Sequence, residues 1–206
     1  MTKSIYDQLN AYGTVAKQRF VENFSGDALD TDRWSTVDNL NSNTYNMSDS
    51  VDGGFSILTN ASASSDGAIN FNSKRQYSHN GSVCISVVQA TTLTGGAEMY
   101  FGLNSAPYLA SGSLKHVGGI RINAGAFFAQ SNDGTTNSSV TTGVSKDASW
   151  HSFKTELDGT DLKAYVDGVL KVTKTTNMPG SAMQPGAEVY DGSMELRIKY
   201  MEAYNT

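Results

Sequence analysis

The sequence predicts an all-β fold, an antiparallel β-sandwich of the jelly-roll type with a short N-terminal α-helix. Two stretches carry this reading. From Trp150 to Lys174 the chain reads WHSFKTELDGTDLKAYVDGVLKVTK, alternating apolar and polar residues and breaking at Asp158-Gly159 and Asp167-Gly168. A period of two marks a sheet with one buried face, and Asp-Gly suits tight hairpins because glycine takes positive φ without steric cost. From Met194 to Tyr204, Met194, Leu196, Ile198 and Tyr200 alternate with Glu195, Arg197, Lys199 and Met201. A terminal strand this regular is expected to pair inside a sheet. Phe153, Leu157, Val166, Leu196 and Ile198 are the expected core.

Composition agrees. The chain has 206 residues, 20 of them Gly and 3 Pro, which suits many short strands joined by turns in one sandwich domain. The division expected is a helical arm over 1–19 and a sandwich over 20–206. The net charge is −5 and no basic stripe exists, so no nucleic-acid partner is expected. No apolar run approaches the ~20 residues of a membrane-spanning helix, so no membrane partner is expected either. The single cysteine, Cys84, lies in SVCISVV and reads as a small buried hydrophobe. The N-terminus lacks the apolar core of a signal peptide, which leads to an expectation of cytoplasmic synthesis.

Taken in order, residues 4–20 have a helical stripe of Ile5, Leu9, Tyr12, Ala16 and Phe20. Phe20 to Phe24 then reads as a first strand, and Trp34 anchors the chain after an Asp-rich turn. Residues 39–54 are polar, fitting loop or edge strand. Strands are expected over 55–59, 68–72, 82–89, 97–103 and 118–123, the last continued by 126–130. The strand over 82–89 is apolar on both faces and should be central. A short strand is expected over 138–142, and 175–191, with Pro179 and Pro185, reads as a long connection.

Three segments carry a family resemblance. FVENFSGDALDTDRW resembles the opening of many glycan-related sandwiches, family 16 glycoside hydrolases included. WHSFKTELDGTDLKAYVDGVL is similar to the laminin-G-like pattern of Trp, a short strand, then a strand ending Val-Asp-Gly. MELRIKYMEAY resembles the final strand that returns beside the first. Together they resemble the concanavalin A-like lectin/glucanase superfamily over residues 20–204. That fold hosts lectins, lyases, hydrolases and adhesion modules. The resemblance implies a structural calcium near the N-terminal strand, for which Glu22, Gly26 and Asp191 are the candidates by position. No other cofactor is required. The short helix and the Asn-, Ser- and Gly-rich sandwich also resemble jelly-roll structural proteins of marine bacterial viruses. This implies a virion location and a homo-oligomer, a trimer with Ile5, Leu9, Tyr12 and Ala16 at a subunit contact.

Family 16 hydrolases place Glu, Asp and Glu on one strand. In EMYFGL, Glu98 matches the first carboxylate, Tyr100 stands at the Asp position and Leu103 where the second Glu belongs. Glycoside hydrolysis needs two carboxylates, so this departure argues against it. A lyase site would draw on Tyr100, Arg121, Asn123, Gln130 and His116. Sugar binding asks for an aromatic platform beside planar hydrogen-bonding groups. Glu98, Tyr100, Arg121 and Asn123 are the candidate ligand-binding residues, if their strands are neighbours. The function expected is a non-catalytic, lectin-like domain for carbohydrate binding or display, with a glycan partner. The alternatives are a virion structural or adhesion protein that binds no sugar, or an atypical polysaccharide hydrolase or lyase.

Overall fold

The computed structural model describes residues 19–39, 43–48, 53–60, 66–91, 98–106, 115–123, 125–190 and 192–206. Residues 4–18 of the expected helix, and the subunit contact placed on them, lie outside the described residues. Arg19 and Phe20 belong to a strand, not to a helix.

The described strands form two antiparallel sheets. The first runs β13 (Val169–Lys174), β12 (Leu162–Val166), β11 (His151–Asp158), β6 (Asn80–Ala90), β15 (Glu195–Asn205), β4 (Gly54–Leu58) and β3 (Thr44–Ser48), with β1 (Arg19–Glu22) also paired to β15. The second runs β10 (Asn137–Ser145), β9 (Ala126–Asp133), β8 (His116–Asn123), β7 (Glu98–Asn104), β14 (Gln184–Tyr190), β5 (Asp66–Asn70) and β2 (Ser35–Asn39). Their inner faces pack into one core. Phe153, Leu157, Val166, Leu196 and Ile198 are all buried there, as their alternation predicts. Burial of Cys84 pushes its thiol up to about 12.

Local chemistry explains the elements. Phe20 and Phe24 meet Trp34 at 5.4 and 5.3 Å between ring centroids, so the opening motif is an aromatic knot that anchors β1. Central β6 lies between β11 and β15, with Cys84 and Val88 in the core and Ile85 on the outer face. Asp167 and Gly168 have φ of 50° and 77°, the geometry of a two-residue type I′ hairpin. Asp158 opens a wider loop instead, where its carboxylate accepts from Thr160 N at 3.1 Å and Asp161 N at 2.8 Å.

The Asp167 turn is tied down at its base. Asp167 accepts from Ser152 N at 2.9 Å, and His151 bridges Asp167 at 2.7 Å and Asp147 at 3.0 Å. Burial pulls the His151 pKa down, but bonding to Asp167 and Asp147 outweighs it, so the net shift is upward. Across the sandwich edge, buried Lys174 on β13 donates to Ser138 on β10 at 2.6 Å and to Thr176. Its burial lowers its pKa.

Two expectations change. Residues 118–130 are not one continuing strand: the chain folds back at Gly125, φ 78°, into antiparallel β8 and β9. The long connection over 175–191 contains β14, a strand in the middle of the second sheet.

Candidate functional site

The four candidate residues share the outer face of the seven-stranded sheet. Along β7, Met99, Phe101 and Leu103 enter the core, so Glu98, Tyr100, Gly102 and Asn104 face out. Antiparallel register sets this face in rows across the strands. The first row is Asp66, Tyr190, Glu98 and Asn123. The second is Glu188, Tyr100, Arg121 and Phe128. The third is Asn70, Gly186, Gly102, Gly119 and Gln130. The fourth is Gln184, Asn104, Val117 and Asn132.

Glu98, Arg121 and Asn123 meet. Glu98 Oε1 accepts from Asn123 Nδ2 at 2.7 Å and pairs with Arg121 Nη2. The Glu98 and Arg121 side chains keep 20% and 19% of their exposure, so a ligand can reach them. Tyr190 and Phe128, beside them in the rows, are also partly exposed.

Tyr100 sits among them but offers no open ring. It is fully buried, and its hydroxyl donates to the Leu103 carbonyl at 2.7 Å. Two glycines make this possible. A Cβ on Gly119 would stand 2.6 Å from the Tyr100 hydroxyl, and one on Gly102 would stand 3.0 Å from it. The phenol therefore lies down over bare backbone.

Farther along the face the side chains are polar and buried. Glu188, Asn104, Gln184 and Asn70 are 0%, 0%, 1% and 3% exposed. Both amide atoms of Asn104, Oδ1 of Asn70 and Oε1 of Gln184 have no hydrogen-bond partner among the described residues. Lys115 reaches the same region. Burial pulls its ammonium below the ordinary value, while the charges of Glu188 and Asp66 pull it back up. Sequence reasoning missed Glu188, Gln184 and Tyr190, although QPGAEVY does alternate. Asn70 and Asn104 stood at strand ends and carried no signal of their own.

Other expected groupings are not assembled. Leu103 is a core residue, off the face that bears Glu98. His116 has the inward parity of Ile120 and Ile122, and it accepts from Gly180 N at 3.1 Å, apart from Tyr100 and Arg121. For calcium, Glu22 is engaged by Trp34 Nε1 at 3.4 Å and Arg33 at 3.7 Å, Gly26 is a turn residue with φ 100°, and Asp191 lies outside the described residues. No cluster of three or more His, Cys, Asp or Glu suited to a metal exists among the described residues.

No protein-family model matches the chain, and no curated protein does. Solved structures do. A β-glucanase of Bacillus licheniformis superposes with a TM-score of 0.65 at 17% identity, covering 91% of this chain and 98% of that one. The Emp46p carbohydrate recognition domain, in a potassium-bound form, gives 0.61 at 16% identity, covering 89% and 94%. A β-1,3-glucanase from Mycobacterium marinum gives 0.61 at 11% identity, covering 89% and 97%. The fold is the concanavalin A-like jelly roll shared by these glucanases and this carbohydrate recognition domain.

Proposed function

We propose that this chain is a lectin-like carbohydrate-binding domain that takes a glycan along the outer face of its seven-stranded sheet. The observation that carries this reading is the half-buried patch where Glu98, Arg121 and Asn123 converge between the partly exposed rings of Tyr190 and Phe128. A pyranose has an apolar face and a rim of hydroxyls, and such a patch complements both. The solved structures of this fold named above, a carbohydrate recognition domain and two glucanases, support carbohydrate as the ligand class. The test is native-gel retardation by soluble polysaccharides. Arg121→Met should weaken retardation about tenfold, the scale of one lost charge-assisted hydrogen bond. Equal retardation of both proteins would remove the patch from the site.

Hydrolysis is the second reading, favoured by one observation. Register makes Glu98 and Glu188 diagonal neighbours on β7 and β14, facing the same way. Diagonal positions lie about 7–8 Å apart at the backbone, within reach of the carboxylate separations that glycosidases use. Reducing-sugar release that disappears in both Glu98→Gln and Glu188→Gln would establish this reading over the first.

A further inference from the structure

We propose that Asn70, Asn104 and Gln184 form, around Gly186, a subsite for a hydroxyl group of a neutral sugar. This rests on the reading of the outer face as a glycan site and names the chemistry it selects. Gly186 has no positive φ, so its missing side chain is a matter of space. A Cβ there would stand 2.6 Å from Asn104 Nδ2, 3.1 Å from Asn70 Oδ1 and 3.0 Å from the Ile69 carbonyl oxygen. The backbone at Gly186 is thus closely approached by an amide donor and an amide acceptor. A hydroxyl group needs that pair, because it donates one hydrogen bond and accepts others.

The second support is the state of these amides. Asn104 Oδ1 and Nδ2, Asn70 Oδ1 and Gln184 Oε1 are buried with no partner among the described residues. Folded proteins rarely leave such atoms unmet, and a hydroxyl from solvent or ligand satisfies them. Gln184 faces Asn104 directly across β14 and β7, and Asn70 faces Gly186 across β5, so all three border one place.

Charge sets the sugar class. Carboxamides carry none. Glu188, two residues along β14 on the same face, and Asp66 on β5 both act on the charge of Lys115. Glu98 is already paired with Arg121. Among the described residues of this face the carboxylates Asp66, Glu98 and Glu188 outnumber the cations Arg121 and Lys115, so a neutral hexose avoids the repulsion that a uronate or sulfate would meet.

The experiment is native affinity electrophoresis of the full chain in laminarin, lichenan and glucomannan, which are neutral, and in alginate, a polyuronate. The wild type should be retarded by a neutral polymer and not by alginate. Gly186→Ala pushes the Asn104 amide aside and Asn104→Leu removes the donor, and each should weaken retardation about tenfold. Thermal melts establish that the variants fold, and Asn70→Ala supplies a third variant should Gly186→Ala fail. If a neutral polymer retards wild type and the folded variants equally, the subsite is wrong and the glycan reading stands. Retardation by alginate as strong as by the neutral polymers overturns the selectivity. No retardation by any polymer overturns both readings.

Discussion

On the outer face of the eight-stranded sheet charged side chains pair with one another; on that of the seven-stranded sheet several buried amides have no partner among the described residues. Across β11 and β12, Glu156 accepts from Lys154 at 2.7 Å and from Tyr165 at 2.8 Å, and the Lys154 ammonium sits 4.1 Å over the Tyr165 ring. On β1 and β15, Arg19 donates to Glu202 at 2.8 Å. These charged groups are matched by neighbours on their own face. Across β5, β14 and β7, by contrast, amides buried more deeply have no partners among the described residues. An unmet buried amide costs about 1–3 kcal/mol, so a chain that keeps several on one face has a use for them there. The difference separates polar groups that serve the fold from those held ready for something else.

The largest effect should come from the core beneath both faces. Leu196→Ala removes a fully buried side chain, and should cost about 2–5 kcal/mol by chemical denaturation. A loss under about 0.5 kcal/mol would show that the two faces do not share one core. Next comes the glycine floor. A Cβ on Gly119 would stand 2.5 Å from the Phe101 carbonyl oxygen as well as near the Tyr100 hydroxyl, so the backbone must move. Gly119→Ala should cost about 1–3 kcal/mol, while Gly168→Ala, with nothing within 4 Å, is strained by its φ of 77° alone. If Gly119→Ala melts with the wild type, Tyr100 does not lie where it is described.

A smaller effect is expected on the outer face of the eight-stranded sheet. The Lys154 and Glu156 side chains are 35% and 32% exposed, so Glu156→Gln should cost less than about 1 kcal/mol. A loss above about 2 kcal/mol would mean that the cluster supports the fold far more than its exposure allows. The smallest effect is electrostatic. His151 has a raised pKa when folded, so its stabilising contribution is complete below its ordinary value of 6.5 and is lost as pH rises through the raised value. The stability advantage of wild type over His151→Phe should therefore shrink from about pH 5.5 to about pH 8.5. An advantage that grows with pH would contradict the bridging of His151 by Asp147 and Asp167.

The contrast between the faces was half legible in the sequence. Alternation exposed β11, β12 and β15 because one face of each meets the core. It also placed Glu98, Arg121 and Asn123 outward, where the structure brings them together. Tyr100 has the same parity, yet lies flat, because its orientation depends on Gly102 beneath it and Gly119 on the next strand. The row of Gly186, Gly102 and Gly119 is a matter of cross-strand register, and residues 17 to 84 positions apart in the chain give no local sign of it. Pro185 and Gly186 disguised β14, since both residues argue against a central strand. Pro185 is tolerated as its second residue, where its carbonyl still accepts from Phe71 N at 3.1 Å.

Strand β15 has a bearing on how the molecule is made. One of its edges pairs with β6, while the other is shared by β4, opposite Glu195–Ile198, and β1, opposite Met201–Tyr204. Arg19 thus finds its partner Tyr204 only after every strand from β2 to β14 has left the ribosome. Until then three strands keep open edges, and unpaired edges invite association between nascent chains. Closing so long a loop is also slow. Synthesis of this sandwich should depend on holding those edges apart until the eleven-residue β15 arrives to join them.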